Sequence, residues 1–126
     1  SGHFYFKEFW RADSGMLAAL HAIAALGESK KSISKILSEY QRYVASGEIN
    51  SSVKDAKAKI AAIKEIYAGK KELTLDELDG LTVSGDTWWF NVRASNTEPL
   101  LRLNVEAKTQ ARMEKLRDQV LGEIRA

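Results

Sequence analysis

The seven residues from Arg93 to Pro99, Arg-Ala-Ser-Asn-Thr-Glu-Pro, combine side chains that suit the binding of an anion. An arginine guanidinium offers a planar fork of donors that can grip two phosphate oxygens at once. Ser95 and Thr97 add hydroxyl donors on short side chains, and Asn96 tolerates the backbone angles of a tight turn. A polar turn that only satisfies its own backbone has the same composition, so both interpretations are open at this point.

Two predicted strands position this stretch, Thr87 to Arg93 before it and Leu100 to Ala107 after it. Apolar and polar side chains alternate along both strands, which is typical of strands with one buried face. The alternation places Arg93 on the polar face. Segments 48–51 and 81–83 are further strand candidates earlier in the chain.

Two amphipathic helices are predicted in the same part of the chain. One begins at a capping-box sequence that starts at Ser52 and ends before Gly69, and the other is capped by Thr109. Three consecutive strands joined by short turns must be antiparallel neighbours, and two helices can cover one face of their sheet. The pattern therefore predicts an α+β, two-layer domain with a four-stranded, mainly antiparallel sheet under two helices.

The first third of the chain has an aromatic start followed by helical spacing. Phe4 to Trp10 is interpreted as the edge of a core strand, which is the simplest role for its aromatic side chains. A helix capped at residue 13 or 14 is expected to end at Gly27. Ser32 caps a second predicted helix, whose apolar spacing continues to Val44.

Composition excludes several classes of protein. The chain has 126 residues, 44% of them apolar, with one proline, which is typical of one packed domain with an appended piece. A net charge of +2 predicts no strong preference for nucleic acid or membranes. Without cysteine there is no disulfide or thiolate chemistry, and two histidines are too few for a zinc site. No membrane-spanning run or secretion signal is visible, so we expect a soluble, cytoplasmic protein; the start without methionine suggests a fragment or a processed start.

The motif at Arg93–Pro99 resembles the phosphate-binding loop in the last domain of the phosphohexomutases. It is most similar to the phosphomannomutase/phosphoglucomutase branch, because the phosphoglucosamine mutase branch usually has proline and glycine where this chain has Ala94 and Asn96. A second motif, Ser-Gly-His-Phe-Tyr-Phe at residues 1–6, resembles the end of the family's sugar-recognition loop, Gly-Glu-x-Ser-Gly-His. The two motifs stand in the family's order.

The resemblance implies a place for the chain in a larger enzyme. The chain is similar to the C-terminal part of a bacterial phosphomannomutase/phosphoglucomutase of the alpha-D-phosphohexomutase superfamily. Residues 1–30 would be the end of the third, sugar-recognition domain, residues 31–46 a connecting helix, and residues 47–126 the C-terminal phosphate-binding domain. That last domain is known for a fold similar to TATA-binding protein, which agrees with the predicted two layers.

Phosphohexomutases move a phosphoryl group between C1 and C6 of a hexose, with mannose and glucose phosphates as substrates in this branch. A phosphoserine in the first domain donates the phosphoryl group, and Mg²⁺ held by aspartates in the second domain supports the transfer. The 1,6-bisphosphate intermediate then turns around and returns its other phosphate. The resemblance assigns the grip on the non-transferring phosphate to Arg93, Ser95, Asn96 and Thr97, and sugar contacts to Ser1 and His3.

The chain also departs from the family's pattern. The phosphoserine and metal loops have no counterpart in these residues, and the aspartates show no cluster of Mg²⁺ ligands. We therefore predict no catalytic residue, no bound metal and no mutase activity for the isolated chain, with weak phosphate binding at most. The expected partners are a phosphorylated hexose and the enzyme's other domains, with no nucleic acid and no membrane. The family's glutamate would lie two positions before Ser1, so the choice between mannose and glucose stays open.

Two alternatives belong to other classes of function. The polar face of the sheet, with Trp89 and Arg93 near many lysines, would allow the stacking of single-stranded nucleic acid. A purely structural module that docks on other domains, with an incidental loop, is the second alternative.

Overall fold

The computed structural model describes residues 2–126, which form two compact units that divide between Gln41 and Arg42. In the first unit, strands β1 (Tyr5–Phe6) and β2 (Ala12–Asp13) pair as a short antiparallel hairpin. Helix α1 (Gly15–Glu28) and the one-and-a-half-turn helix α2 (Ile33–Ser38) follow. Ser14 caps α1, because its hydroxyl accepts the Leu17 N–H at 3.2 Å.

Three predictions for the first third of the chain are wrong. The aromatic side chains of residues 4–10 are not a core strand edge; Phe4 and Trp10, for example, are 52% and 85% exposed. Gly27 lies inside α1, which ends one residue later. The predicted connecting helix over residues 31–46 covers only α2, because Val44 belongs to a strand and its backbone pairs with Ala107 in the sheet.

The second unit is an antiparallel sheet covered by two helices, as the sequence predicts. Its strands are β3 (Val44–Ala45), β4 (Ile49–Ser52), β5 (Thr74–Asp76), β6 (Leu81–Ser84), β7 (Trp88–Ala94) and β8 (Leu100–Ala107). Its helices are α3 (Ala56–Tyr67) and α4 (Gln110–Arg125).

The sheet has six strands, two more than the predicted four, in the order β3-β8-β7-β6-β5, with β4 also paired to β8. The two additional strands, β3 and β5, have only two and three residues. Such short strands show almost no alternation of apolar and polar residues in the sequence. Strand β8 is long enough to pair with β4 along its first half and with β3 at its end. Strands β7 and β8 therefore form the centre of the sheet, and the candidate loop joins them.

One face of the sheet packs on α3 and α4 and forms the core. The buried side chains alternate along the strands and recur at helical spacing on both helices. They are Ile63, Tyr67, Leu81, Val83, Phe90, Val92, Leu101, Leu103, Val105, Ala107, Met113, Leu116, Val120 and Ile124. The other face carries the partly exposed polar side chains that include Asn91 and Arg93.

The two helices begin at side-chain caps. Thr109 caps α4, as predicted, and accepts the Arg112 N–H at 3.3 Å. Asp55 caps α3 and accepts the Ala58 N–H at 2.9 Å. The predicted capping box from Ser52 is wrong, because Ser52 is the last residue of β4 and is paired with β8.

Tyr67 is the buried polar group of the helix layer. Its hydroxyl donates to Glu123 Oε1 at 3.2 Å and accepts from the Gln119 amide at 3.1 Å. Burial first, and then the Glu123 carboxylate, raise the pKa of the Tyr67 phenol well above its usual 10.0. Folding therefore favours the protonated phenol, and this contribution to stability is complete below pH 10 and is lost as the pH rises further.

We predict that Tyr67 is the last of the four tyrosines to ionise in the folded chain. An alkaline titration followed by phenolate absorbance should show a late step that is absent in Tyr67→Phe and absent from wild type in urea. The exposed Tyr40 provides the control, because Tyr40→Phe should keep the late step. If Tyr67→Phe keeps it as well, the late step belongs to another tyrosine and the prediction for Tyr67 is wrong.

Gly80 is the residue that brings the turn before β6 against β7. Its φ is +72°, and a Cβ built there would lie 2.4 Å from the Val92 carbonyl oxygen and 2.8 Å from the Arg93 Cα. Backbone atoms cannot move aside as a flexible side chain can, and a residue with a Cβ is also strained at this φ.

We expect Gly80→Ala to lower the free energy of unfolding by about 2–4 kcal/mol, measured by urea denaturation of the 126-residue chain. Gly122→Ala is the matched control, because Gly122 is an exposed position in α4 with no atom within 4 Å of the new Cβ. That control should raise the free energy of unfolding by about 0.5–1 kcal/mol. Equal effects of the two substitutions would contradict the close approach.

Candidate functional site

The candidate loop connects the two central strands. Arg93 is the second-last residue of β7, and Leu100 opens β8. The Ser95 N–H donates to the Leu100 carbonyl at 2.9 Å, and the Leu100 N–H donates to the Glu98 carbonyl at 2.7 Å. The loop is thus closed at its base by the sheet, and its tip extends into solvent.

The hydroxyl groups of the loop lie close together. Ser95 Oγ and Thr97 Oγ1 are 3.5 Å apart, and Ser95 Oγ also accepts the Thr97 N–H at 3.4 Å. This second contact is what a turn that satisfies its own backbone would show, so it supports the simpler interpretation. Asn96 and Thr97 are nevertheless exposed, and the two hydroxyls are spaced so that one bound oxygen atom can contact both.

Arg93 lies in a cluster of four charged side chains on the polar face of the sheet. Arg102 on β8 is its direct cross-strand partner. Glu48, just before β4, places Oε2 at 3.3 Å from Arg93 Nη2 and Oε1 at 3.7 Å from Arg102 Nε. Asp79 Oδ2 is 3.5 Å from Arg93 Nη1. Two carboxylates therefore balance two guanidinium groups that would otherwise repel each other.

The turn that carries Asp79 is fixed to β7. The Asn91 side-chain amide donates to the Asp79 carbonyl at 2.8 Å and to Thr82 Oγ1 at 2.9 Å. The adjacent Gly80 lies against the backbone of Arg93. Arg93 thus stands on a central strand with fixed backbone on both sides, which suits a side chain that must meet a ligand in one orientation.

Sequence reasoning missed Arg102, Glu48 and Asp79 as members of the site. The signal for Arg102 is the strand register: a short loop between antiparallel strands places residues on its two sides opposite each other. The pairing of Arg93 with Arg102 follows once the loop ends are known. Glu48 and Asp79 are brought in by segments distant in sequence, and no local spacing indicates them.

Of the two residues predicted to contact the sugar, His3 belongs to the first unit and Ser1 lies outside the described residues. His3 Nδ1 is 2.5 Å from Asp13 Oδ2, and Asp13 also accepts the Phe4 N–H at 2.8 Å. The hydrogen bond from His3, followed by that from Phe4, lowers the pKa of the Asp13 carboxyl. His3 is therefore held by a hydrogen bond to Asp13, and its contact with a sugar stays a prediction.

Other kinds of site find little support in residues 2–126. This part of the chain has no group of three His, Asp or Glu side chains placed to hold a metal ion. Nor does it contain a helix with the length and apolar character needed to cross a lipid bilayer. Trp89 is partly buried on the polar face, and its indole N–H donates to the Glu106 carboxylate at 3.3 Å.

Comparison with known proteins gives a consistent result along the chain. The family described as phosphoglucomutase/phosphomannomutase, C-terminal domain, matches residues 48–123, and the alpha/beta/alpha domain III of the same family matches residues 1–43. A phosphomannomutase of Methanocaldococcus jannaschii is 43% identical over 120 residues, which cover 95% of this chain and 26% of the relative. A protein named phosphohexose mutases from Xanthomonas campestris is 41% identical over 125 residues, 98% of this chain and 28% of the relative.

A solved structure supports the same relationship. A phosphoglucomutase/phosphomannomutase family protein from Burkholderia thailandensis matches with a TM-score of 0.70 and 25% identity, over 97% of this chain and 26% of that protein. The chain spans about a quarter of the length of the relatives it matches. The matched C-terminal domain includes the whole of the loop from Arg93 to Pro99 and the paired Arg102. The chain belongs to the phosphoglucomutase/phosphomannomutase family.

Proposed function

We propose that the second unit binds the phosphate group of a hexose phosphate that is not being transferred, as the C-terminal phosphate-binding domain of a phosphohexomutase. The observation that carries this proposal is Arg93 at the end of a central strand that leads directly into the loop with the clustered hydroxyls of Ser95 and Thr97. The named relatives support the substrate class, since they include phosphomannomutases.

The loop and the strand that leads into it offer several donors to a phosphate group. The Arg93 guanidinium provides paired N–H groups that match two phosphate oxygens, and charge-assisted bonds of this kind are about twice as strong as neutral ones. Ser95, Asn96 and Thr97 provide smaller donors on the exposed tip. Arg102 adds a second positive charge directly opposite Arg93. Such a site binds the phosphate group regardless of the sugar that carries it.

Phosphate binding that does not depend on the sugar suits the reaction we propose for the whole enzyme. Interconversion of hexose 1- and 6-phosphates through a 1,6-bisphosphate requires the sugar to bind in two orientations, while the fixed phosphate occupies one place in both. A site built from a guanidinium, hydroxyls and an amide accepts either phosphate. The sugar itself, mannose or glucose, would be recognised elsewhere, and we propose Ser1 and His3 as part of that recognition.

The phosphoryl transfer itself does not involve the described residues. The phosphoserine and the Mg²⁺ ligands of the family find no fit among residues 2–126, which hold no cluster of three possible metal ligands. We therefore expect the 126-residue chain to bind substrate without mutase turnover. Its location in the cytoplasm stays a prediction.

The two alternatives receive less support from the site. A stacking platform for nucleic acid needs exposed aromatic faces and positive charge, whereas Trp89 is partly buried and donates to the Glu106 carboxylate. Glu48 and Asp79 further reduce the positive charge around Arg93. A docking module with an incidental loop would not need the paired arginines, and the following prediction separates it from a phosphate site.

We predict that Arg93→Ala weakens the binding of mannose 6-phosphate to the 126-residue chain by roughly tenfold or more, because about 1.5–3 kcal/mol of charge-assisted hydrogen bonding is lost. Dissociation constants are measured by ³¹P NMR titration of the ligand. Arg93→Lys should recover part of the affinity, since it keeps the charge but not the planar fork.

Arg117→Ala serves as the matched control, because Arg117 is a partly exposed arginine on α4 that pairs with the adjacent Asp118. It removes the same charge from the helix layer and should leave the affinity within about twofold of wild type. If Arg93→Ala behaves like this control, the loop is incidental and the docking alternative is favoured. If both substitutions weaken binding equally, the protein responds only to its total charge.

A further inference from the structure

Arg93 and Arg102 require a negative charge between them. They are direct cross-strand partners, and like charges in that position destabilise a sheet. The Glu48 carboxylate forms ion pairs with both arginines, through Oε2 to Arg93 and through Oε1 to Arg102. Asp79 also reaches Arg93, but its side chain is 76% exposed against 37% for Glu48, so Glu48 is the more firmly placed carboxylate.

The contact between Glu48 and Arg102 is incomplete. Their Oε1 and Nε atoms are 3.7 Å apart, which is an ion pair but too long for a hydrogen bond. Within residues 2–126, Arg102 Nε is a buried side-chain donor that lacks a hydrogen-bond partner. Buried donors are seldom left in this state. A shift of roughly 0.7 Å by Glu48 would complete the bond.

Phosphate binding to Arg93 would cause such a shift of the Glu48 carboxylate. The phosphate oxygens and Glu48 compete for the guanidinium donors of Arg93, and the two anions repel each other. The nearest donor left for Glu48 is the unpartnered Arg102 Nε. A short movement of one carboxylate therefore exchanges its partner while both arginines stay neutralised.

We propose that Glu48 is a positioning residue of the phosphate site, which holds Arg93 while the site is empty and transfers its hydrogen bond to Arg102 Nε when phosphate takes Arg93. This inference rests on the function proposed above. Glu48 acts here as a built-in competitor: it keeps Arg93 in place and lowers the affinity for phosphate at the same time. In an enzyme whose bisphosphate intermediate must leave this site and turn around, weaker phosphate binding helps the intermediate to dissociate.

The substitution Glu48→Gln tests the proposal, because the amide keeps the shape of the side chain and removes its charge. The four side chains of the cluster carry two positive and two negative charges, so the substitution changes their sum from zero to +1. We expect three- to tenfold tighter binding of inorganic phosphate at low salt, with a gain that shrinks as NaCl is added. Without phosphate the variant should melt at a lower temperature than wild type, because Arg93 and Arg102 repel each other.

Glu65→Gln is the matched control, since Glu65 is an exposed glutamate on α3, in the layer that covers the other face of the sheet. It should change neither the affinity nor the melting temperature appreciably. A second measurement is made on the wild-type chain itself: the Nε–Hε resonance of Arg102 in the ¹⁵N-labelled chain is followed during the phosphate titration. It should move in step with the Ser95 and Thr97 amide signals, and Arg102→Lys assigns it by its loss.

The outcomes separate this inference from the function on which it rests. If the loop amides respond to phosphate but Glu48→Gln binds no tighter than Glu65→Gln, the role given to Glu48 is wrong and the phosphate site stands. If the Arg102 Nε–Hε signal stays fixed while the loop saturates, the same conclusion follows even where Glu48→Gln fails to fold. If the loop amides of wild type do not respond, the phosphate site fails, and the inference fails with it.

Discussion

The pairing of β7 with β8 is the interaction on which the candidate site depends. These two central strands share seven residue pairs, from Trp88 opposite Ala107 to Ala94 opposite Leu101. The register buries Phe90 and Val92 of β7 and Leu103 and Val105 of β8 on the helix side, and a shift of either strand by one residue would turn its own buried pair to the other face. The same register places Arg93 opposite Arg102 on the polar side. Core packing therefore fixes the position of the two arginines.

The surrounding segments are arranged around that pair of charges. β4 adds to the free edge of β8 and brings Glu48 to both arginines. The turn before β6 approaches β7 so closely that only glycine fits at position 80, and it brings Asp79 to the other side of Arg93. The site is thus a sheet surface with balanced charges, from which the tip of one loop extends into solvent.

Much of the second unit was predictable from the sequence. Strand β8 has the predicted bounds, β7 is displaced by one residue, and the two helices and the α+β arrangement agree with the predicted pattern. Strict alternation of apolar and polar residues is a strong signal because one face of the sheet is buried. The loop was found because its residue types and order carry a recognisable motif.

The errors have a common physical cause. Val44 has helical spacing relative to Ile36 and Tyr40, but its backbone pairs with the end of β8, and tertiary pairing overrides local propensity. Ser52 resembles a helix cap in sequence and is a strand residue for the same reason. Glu48 and Asp79 join the site by contacting Arg93, from which they are separated by 45 and 14 positions in the sequence. No local sequence pattern encodes such contacts. The charge balance of the site is therefore a property of the fold and not of the motif.

The most direct test of the phosphate site is a two-dimensional amide NMR titration of the 126-residue chain with mannose 6-phosphate, with free mannose as the control. We predict shifts that are confined to residues 93–97 and the facing part of β8, and that occur only with the phosphorylated sugar. Equal shifts with free mannose, or none in this region at millimolar mannose 6-phosphate, would contradict the assignment of this loop as a phosphate site.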